Sequence, residues 1–415
     1  MESKLIKYGI AVWWLIASLV PVCGQTDSTS VYPFIVRDSP AKLFTIRQID
    51  EDYLSAFRLA SHAMNKSFSP TFNYISQAAA FLLAFGPATH EEAHRSVLTA
   101  KNIGSVSQPF ILSNRGGYVD GVTDATLQQL RDNALPDYIR LYIAGSESDY
   151  MLTRREESLL AWGKEPFRNL CVEYWMRKAF LMQYYMLVFL KYDIDGDEEP
   201  NEMERDVVGN DIYGAARHLF RPHMAFHRYT RYRDLTDEEV HFVRKMGFRS
   251  FFNLVNLNLI GRSNIALTDG LSINAGMGHA MCPFGDFTDE NLWLSVRKKW
   301  NLHLYLREFE NRDKWFMGGG IALDDYFVSP RLAFAAALHG WNQPVNLDFG
   351  EHAARAGGAA DVTCRYFFYT KPANGFRGFS VDAGINLKTF GYLPEEVELG
   401  RSVGLKFGLS LMLDR

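Results

Sequence analysis

Residues 403–413 read VGLKFGLSLML, so an apolar side chain occupies nearly every second position. Successive side chains of a β-strand point to opposite faces of a sheet, and this alternation therefore predicts a strand with one apolar face. Residues 302–309, LHLYLREF, alternate in a similar way. The C-terminal part of the chain is therefore predicted to be built from amphipathic strands.

About eight such segments follow one another after residue 262. They are 271–281, 290–299, 300–309, 315–324, 328–340, 358–370, 376–390 and 400–413. Tight and longer polar connections separate them alternately, which resembles the small outer-membrane β-barrels of Gram-negative bacteria. The resemblance implies an antiparallel barrel over residues 263–415, with outer-membrane lipid as its partner. A soluble β-sandwich or a lipid-binding barrel is the alternative.

The N-terminus has the pattern of an export signal. Lys4 and Lys7 precede an apolar run over residues 9–20, and small residues follow at 23–24. This predicts a signal peptide over residues 1–24, with a retained anchor as the alternative. Residues 25–45 are polar and contain two prolines, which predicts a linker. An even-stranded barrel would place the part before it in the periplasm.

Residues 46–262 are predicted to be mainly helical. Helices are expected at 124–130, 136–144, 153–162 and 167–192. A break or kink is expected at Gly86-Pro87, with a fresh helix that begins near Pro87. The predicted fold class is therefore α+β, with a mainly helical, zincin-like domain followed by an antiparallel barrel of about eight strands.

The segment His90-Glu91-Glu92-Ala93-His94 is an H-E-x-x-H motif. Residues four apart share one helix face, so both imidazoles can reach one Zn²⁺, and Glu91 is placed to take a proton from water at the metal. The motif predicts metal-assisted hydrolysis. An exposed, charged helix turn is the alternative.

A catalytic zinc needs a third protein ligand. Residues 95–99, RSVLT, lack the histidine of the extended metzincin motif, so the chain is more similar to gluzincins, in which a later glutamate binds the metal. The resemblance implies Glu147, because small residues at 144–146 would let its helix approach the motif closely. Asp149, Glu156 and Glu157 remain alternatives.

Gluzincin sites often carry a further His or Tyr that stabilises the oxyanion, and this resemblance implies His218 and Tyr150 as donors. His218 follows Asn210-Asp211 in a region that also contains His223 and His227. Scattered surface or core histidines are the alternative interpretation of this region.

A calcium loop of the EF-hand type is a further candidate. Its ligands would be Asp193, Asp195, Asp197 and Glu204. Glu198 stands where the motif requires Gly, and Pro200 where it requires an apolar residue. A solvated loop between helices is the default interpretation.

Composition restricts the function classes. The formal net charge of −4 comes with no basic stripe, so no nucleic-acid partner is expected. Cys171, Cys282 and Cys364 are too widely spaced for a disulfide framework or a zinc ribbon. The predicted function is a zinc-dependent metallopeptidase that is tethered to the outer membrane and cleaves a protein or peptide substrate. A non-catalytic outer-membrane scaffold or assembly protein, or a zinc hydrolase of a lipid or cell-wall amide, is the alternative.

Overall fold

The computed structural model describes residues 29–39, 44–108, 117–193, 199–297, 299–373 and 375–414. The predicted signal peptide, residues 1–24, lies outside these ranges. An N-terminal helical part precedes a C-terminal antiparallel sheet, so the fold is α+β. None of the helices in the described ranges is long and apolar enough to cross a membrane.

Eight α-helices lie in the described part of the chain. They are α1 Ile46–Ser67, α2 Pro70–Ala80, α3 Gly86–Ala100, α4 Asp124–Asn133, α5 Leu135–Ala161, α6 Phe167–Met186, α7 Asp211–Phe220 and α8 Asp237–Arg249. The π-helical turn Phe81–Phe85 joins α2 to α3, and short 3₁₀ helices include Leu187–Leu190, Ser250–Leu254 and Leu257–Ile260. Thr45, Thr123 and Thr236 cap α1, α4 and α8, because each side chain accepts a hydrogen bond from the first turn.

The helix predicted to begin near Pro87 is α3, which begins at Gly86 with Pro87 in its first turn, where the missing amide of proline costs nothing. The predicted interruption before it is a π-helical turn, so the chain stays helical from α2 into α3. One predicted boundary differs from the structure. The helices predicted at 136–144 and 153–162 are one helix, α5. The polar residues between them interrupt the apolar pattern, but they are buried against specific partners instead of forming a loop.

The main sheet has ten strands. They are β1 Thr29–Asp38, β4 Ile265–Thr268, β5 Leu271–Cys282, β6 Gly285–Val296, β7 Trp300–Asn311, β8 Lys314–Ser329, β9 Leu332–Pro344, β10 Ala354–Ala373, β11 Phe376–Lys388 and β12 Ser402–Asp414. Their order is β1-β12-β11-β10-β9-β8-β7-β6-β5-β4, so every neighbouring pair is antiparallel. Two further short strands, β2 Val106–Gln108 and β3 Tyr118–Asp120, form a separate hairpin.

This sheet corrects the predictions of eight strands and of a linker. Residues Thr29–Asp38 of the predicted linker form strand β1, and Pro33 is tolerated there because β1 is an edge strand. Strand β4 is too short to show alternation. Within the described residues the sheet does not close on itself, since β1 and β4 are both edges.

Helix α5 lies along one face of the sheet, which we call the inner face. Tyr150 donates a hydrogen bond of 2.5 Å to Asp289 of β6, and Trp293 of the same strand donates one of 2.8 Å to Ser158. Just beyond the helix, Lys164 forms ion pairs with Asp324 and Asp325 of β8. The 27 residues of α5 extend over roughly 40 Å, and its contacts with the sheet include residues of β6 and β7.

The sheet curves around a cavity of about 1110 Å³. Residues of both edge strands, β1 and β4, line this cavity together with residues of the central strand β9. The opposite, outer face of the sheet is apolar and exposed at alternate positions. Its large exposed side chains include Leu306, Ile321, Leu338, Val362, Val381, Ile385, Leu405, Phe407 and Leu409.

Candidate metal centre

The H-E-x-x-H motif lies on α3, as predicted, and both of its histidines are buried. His90 Nε2 lies 2.9 Å and His94 Nε2 3.6 Å from Asp211 Oδ2. One ligand atom from each of the three residues lies within 4.8 Å of the others. Tetrahedral zinc ligands at about 2.0–2.1 Å from the ion lie roughly 3.3 Å apart, so this group has the size of a metal site.

Asp211, not the predicted Glu147, is the carboxylate that lies beside His90 and His94. Asp211 begins α7, where the side chain of Asn210 caps the helix by accepting a hydrogen bond from Tyr213 N. Asp211 was not among the ligands predicted from the sequence. The sequence did contain one indication of this ligand candidate, an aspartate directly after a helix-capping residue. A carboxylate on any neighbouring helix can complete a site of this kind.

Glu147 lies elsewhere for a geometric reason. Its carboxylate forms an ion pair with Arg140 at 2.6 Å, and it accepts hydrogen bonds from Tyr392 Oη and Glu395 N. Residues 145 and 149 of α5 are four apart and face α3, whereas residue 147, two positions on, points to the opposite side of the helix. Glu147 therefore anchors the connection between β11 and β12.

The second nitrogen of each imidazole is also held. His90 Nδ1 lies 3.0 Å from Asp149 Oδ2, and His94 Nδ1 donates a 2.6 Å hydrogen bond to the carbonyl oxygen of Leu141. Arg177 of α6 in turn donates to Asp149 Oδ1 at 2.7 Å. Metal-binding histidines usually donate their other N–H to a carboxylate or carbonyl, and this arrangement presents both Nε2 atoms towards Asp211.

Close packing of α5 against α3 depends on Gly145. A Cβ atom at this position would lie 2.2 Å from His90 Nε2, which is far inside van der Waals contact. The prediction that small residues at 144–146 allow a close approach is therefore confirmed. On its other side, His90 stacks on the ring of Tyr184, with centroids 4.7 Å apart.

Glu91 is the candidate general base. Its side chain is buried, and this burial raises its pKa to about 7 even though His90 and His94 act to lower it. A base whose pKa lies near neutrality can both accept and return a proton.

The charges around the histidines favour a cation. Burial alone would lower the pKa of His90, but Asp149 and Asp211 outweigh it and raise the pKa well above its usual value. Burial alone would raise the pKa of Asp211, but His94 and His90 hold it well below the usual range. Two buried carboxylates thus face the imidazole pair, which suits a site for a positive ion.

The two predicted oxyanion donors are not in the ligand group. Tyr150 donates to Asp289, so it faces the sheet. His218 packs against the rings of Tyr138 and Tyr142 and has no hydrogen-bond partner among the described residues. Burial lowers the pKa of His218 to about 3. Neither side chain therefore lies beside His90, His94 and Asp211, and an oxyanion role for Tyr150 or His218 stays a prediction.

The other carboxylate alternatives also lie outside the ligand group. Asp149 contacts the far nitrogen of His90. Glu157 pairs with Lys178 at 2.7 Å, and the buried Glu156 lies beside Glu173.

Part of the predicted calcium loop lies outside the residues that the structure describes. Asp195 and Asp197 lie outside the described residues, and Glu204 accepts a hydrogen bond from the side chain of Asn201 at 3.0 Å. A calcium site there stays a prediction.

Comparison with known proteins identifies no relative: no family model, no curated protein and no solved structure matches this chain. The interpretation of the centre therefore rests on its own geometry.

Proposed function

We propose that this protein is a zinc-dependent metallopeptidase held at the outer membrane, with its helical part facing the periplasm. The convergence of His90 Nε2, His94 Nε2 and Asp211 Oδ2 beside Glu91 is the observation that carries the proposal. Two imidazoles and one carboxylate are a ligand set typical of catalytic zinc, which leaves a fourth position for water or substrate.

The residues around the centre have separate tasks in this proposal. A bound Zn²⁺ would lower the pKa of a water molecule and polarise the scissile carbonyl. Glu91 accepts the proton of the attacking water and passes it to the leaving amine. Asp149 and the Leu141 carbonyl keep the two rings oriented, so that neither imidazole has to reorganise during the reaction.

The membrane placement is supported by the outer face of the sheet. The exposed positions of this face are apolar in one strand after another. The surface of a protein that faces water normally carries polar and charged side chains instead. The inner face carries buried charges instead, such as Arg307 paired with Asp289 at 2.6 Å. We therefore propose that the outer face contacts outer-membrane lipid and that the sheet acts as a barrel-like wall around α5.

Zinc analysis and turnover test the proposal together. The purified protein should hold about one equivalent of zinc, and His94→Ala should lose it, whereas His352→Ala, at an exposed histidine, should not. Glu91→Gln should keep the zinc but lose at least about 10²-fold in turnover of a quenched-fluorescence peptide library. If Glu91→Gln fully complements a deletion strain while a chain truncated before residue 262 does not, the protein is a scaffold and the peptidase proposal is wrong.

A further inference from the structure

Helices bridge the two edges of the sheet. At the β1 edge, α1 packs along the strand, with Gln48 donating to the carbonyl of Ile35 at 2.7 Å and Arg58 to that of Val31 at 3.0 Å. Helix α6 packs on α1, where Tyr53 donates to Glu173 at 3.0 Å. Helices therefore continue the wall of the molecule where β1 ends the sheet.

The same wall reaches the other edge through the 3₁₀ segment Ser250–Leu254. Lys178 of α6 donates to the carbonyl of Asn253, and the Asn253 side chain pairs with both backbone groups of His279 in β5, at 2.9 and 3.0 Å. Met277 N also donates to the Val255 carbonyl at 2.8 Å. We call the surface formed by α2, Phe81–Phe85, α6, Leu187–Leu190 and residues 248–260 the helical wall.

Helix α6 has the polarity of a membrane-facing helix. Its charged residues after residue 170, Glu173, Arg177 and Lys178, are buried. Its exposed positions after residue 170, continued through Leu187–Leu190, are uncharged, and they are Trp175, Ala179, Gln183, Phe189 and Leu190. A helix that faces water shows the opposite arrangement, because charged side chains are costly to bury and apolar ones are costly to expose.

The stretch from α2 into α3 repeats this arrangement. Residues 67–89 contain no Asp, Glu, Lys or Arg. Asn73 and Gln77 are buried and hydrogen-bonded to each other at 3.0 Å. Ile75, Leu82 and Leu83 are each more than half exposed, at 65%, 55% and 58%.

Residues 250–261 show the same arrangement of buried polar and exposed apolar side chains. They also contain no charged residue. The polar side chains Asn253, Asn256 and Asn258 are buried, whereas the apolar side chains on the other side are exposed, namely Phe251, Leu254 and Ile260.

Although no described helix is long and apolar enough to cross a membrane by itself, the length of α6 together with Leu187–Leu190 matches the thickness of a bilayer. Exposed Arg168 and Lys191 flank residues 169–190. That stretch has a helical length of roughly 33 Å, close to the ~30 Å hydrocarbon core of a bilayer, and basic residues at helix ends reach its polar interface.

We infer that the acyl chains of the bilayer cover the helical wall, so that helices occupy the place of strands between β4 and β1. This inference rests on the proposed membrane placement of the sheet. Since α3 continues directly from Phe81–Phe85, the first histidine of the candidate metal centre, His90, then lies about one and a half helical turns from the lipid-facing Phe85.

Quenching of tryptophan fluorescence by lipid can test the contact of the helical wall with the bilayer separately from that of the sheet. The full-length protein is reconstituted in phosphatidylcholine vesicles with and without brominated acyl chains, which quench only tryptophans in contact with lipid. Trp175 reports on the helical wall and Trp300 on the sheet, and they are similarly exposed at 45% and 40%. Trp293, which is buried, serves as the matched control.

We expect Trp175→Phe and Trp300→Phe each to lower the lipid-quenchable emission by similar amounts, Trp293→Phe to leave it unchanged, and Leu82→Trp to raise it. Loss with Trp300→Phe but not with Trp175→Phe, together with no gain from Leu82→Trp, would overturn the inference and keep the sheet in the membrane. If neither Trp175→Phe nor Trp300→Phe changes the quenching, both the inference and the proposed membrane placement fail.

Discussion

Asp149 Oδ2 lies 3.0 Å from His90 Nδ1, so a carboxylate on α5 orients a candidate ligand on α3. The same carboxylate accepts a hydrogen bond from Arg177 on α6. Three helices thus meet at one imidazole, and Asp211 on a fourth helix faces its other nitrogen. The centre is therefore defined by the packing of the helical part as a whole.

The identity of the third ligand can be decided by one pair of variants. Asp211→Ala should abolish stoichiometric zinc binding, because two imidazoles alone hold the ion weakly. Glu147→Gln should retain zinc but lower the free energy of unfolding by about 3–5 kcal/mol, since it leaves the buried charge of Arg140 without its carboxylate partner. Zinc content and urea unfolding measure the two effects. The opposite result, with zinc lost only in the Glu147 variant, would restore the gluzincin-like ligand set.

Asp149→Asn tests the role of Asp149 as a positioning residue. It keeps the shape of the side chain but removes the charge that holds His90 and Arg177, so zinc affinity should fall about 10- to 100-fold. Competition with a chromophoric chelator measures the affinity. Asp132→Asn, the same change at a side chain that is half exposed, serves as the control. Equal affinity in both variants would mean that Asp149 does not support the metal.

The contact of the sheet with lipid predicts a depth-dependent effect of charge. Val381 lies near the middle of β11 and Val328 near the end of β8, and both are exposed on the sheet. Val381→Arg should therefore cost about 2–4 kcal/mol of unfolding free energy in phospholipid vesicles, and Val328→Arg only about 0–1 kcal/mol. Small, equal costs at the two positions would argue for a sheet that faces water.

The buried His218 predicts a pH dependence of stability. Burial, together with nearby cations such as Arg131, lowers its pKa in the folded protein to about 3, below the unfolded value of about 6.5. The folded state therefore binds fewer protons than the unfolded state at acid pH. Stability is fully present above pH ~6.5 and is lost as the pH falls from there towards 3.

This histidine should contribute a loss of about 2 kcal/mol between pH 7 and 5. In His218→Leu that contribution disappears, and urea unfolding at the two pH values measures the change in slope. The free energy of unfolding of the variant at pH 7.5, where His218 is neutral in both states, shows any effect of packing apart from the titration. An unchanged slope would show that His218 does not titrate on unfolding.

The spacing of residues along the sequence was sufficient to predict several elements of this protein. Period-two alternation located most of the strands after residue 262, and the i, i+4 histidines placed two ligand candidates on one helix face. Small residues at 144–146 indicated which helix packs against them. Each of these features depends on neighbours within one element, so their pattern is visible in the chain itself.

Only the tertiary structure decided which distant residues meet. Asp211, not Glu147, lies beside the two histidines, because the face of α5 towards α3 carries residues 145 and 149 and a neighbouring helix brings in the carboxylate. Strand β1 could be recognised only from its pairing with β12 in the structure, because its sequence contains Pro33, a residue typical of a linker. The uncharged face of the helical wall likewise depends on where Glu173, Arg177 and Lys178 find buried partners. Packing selects such contacts by shape and charge over long separations, and sequence spacing carries no record of them.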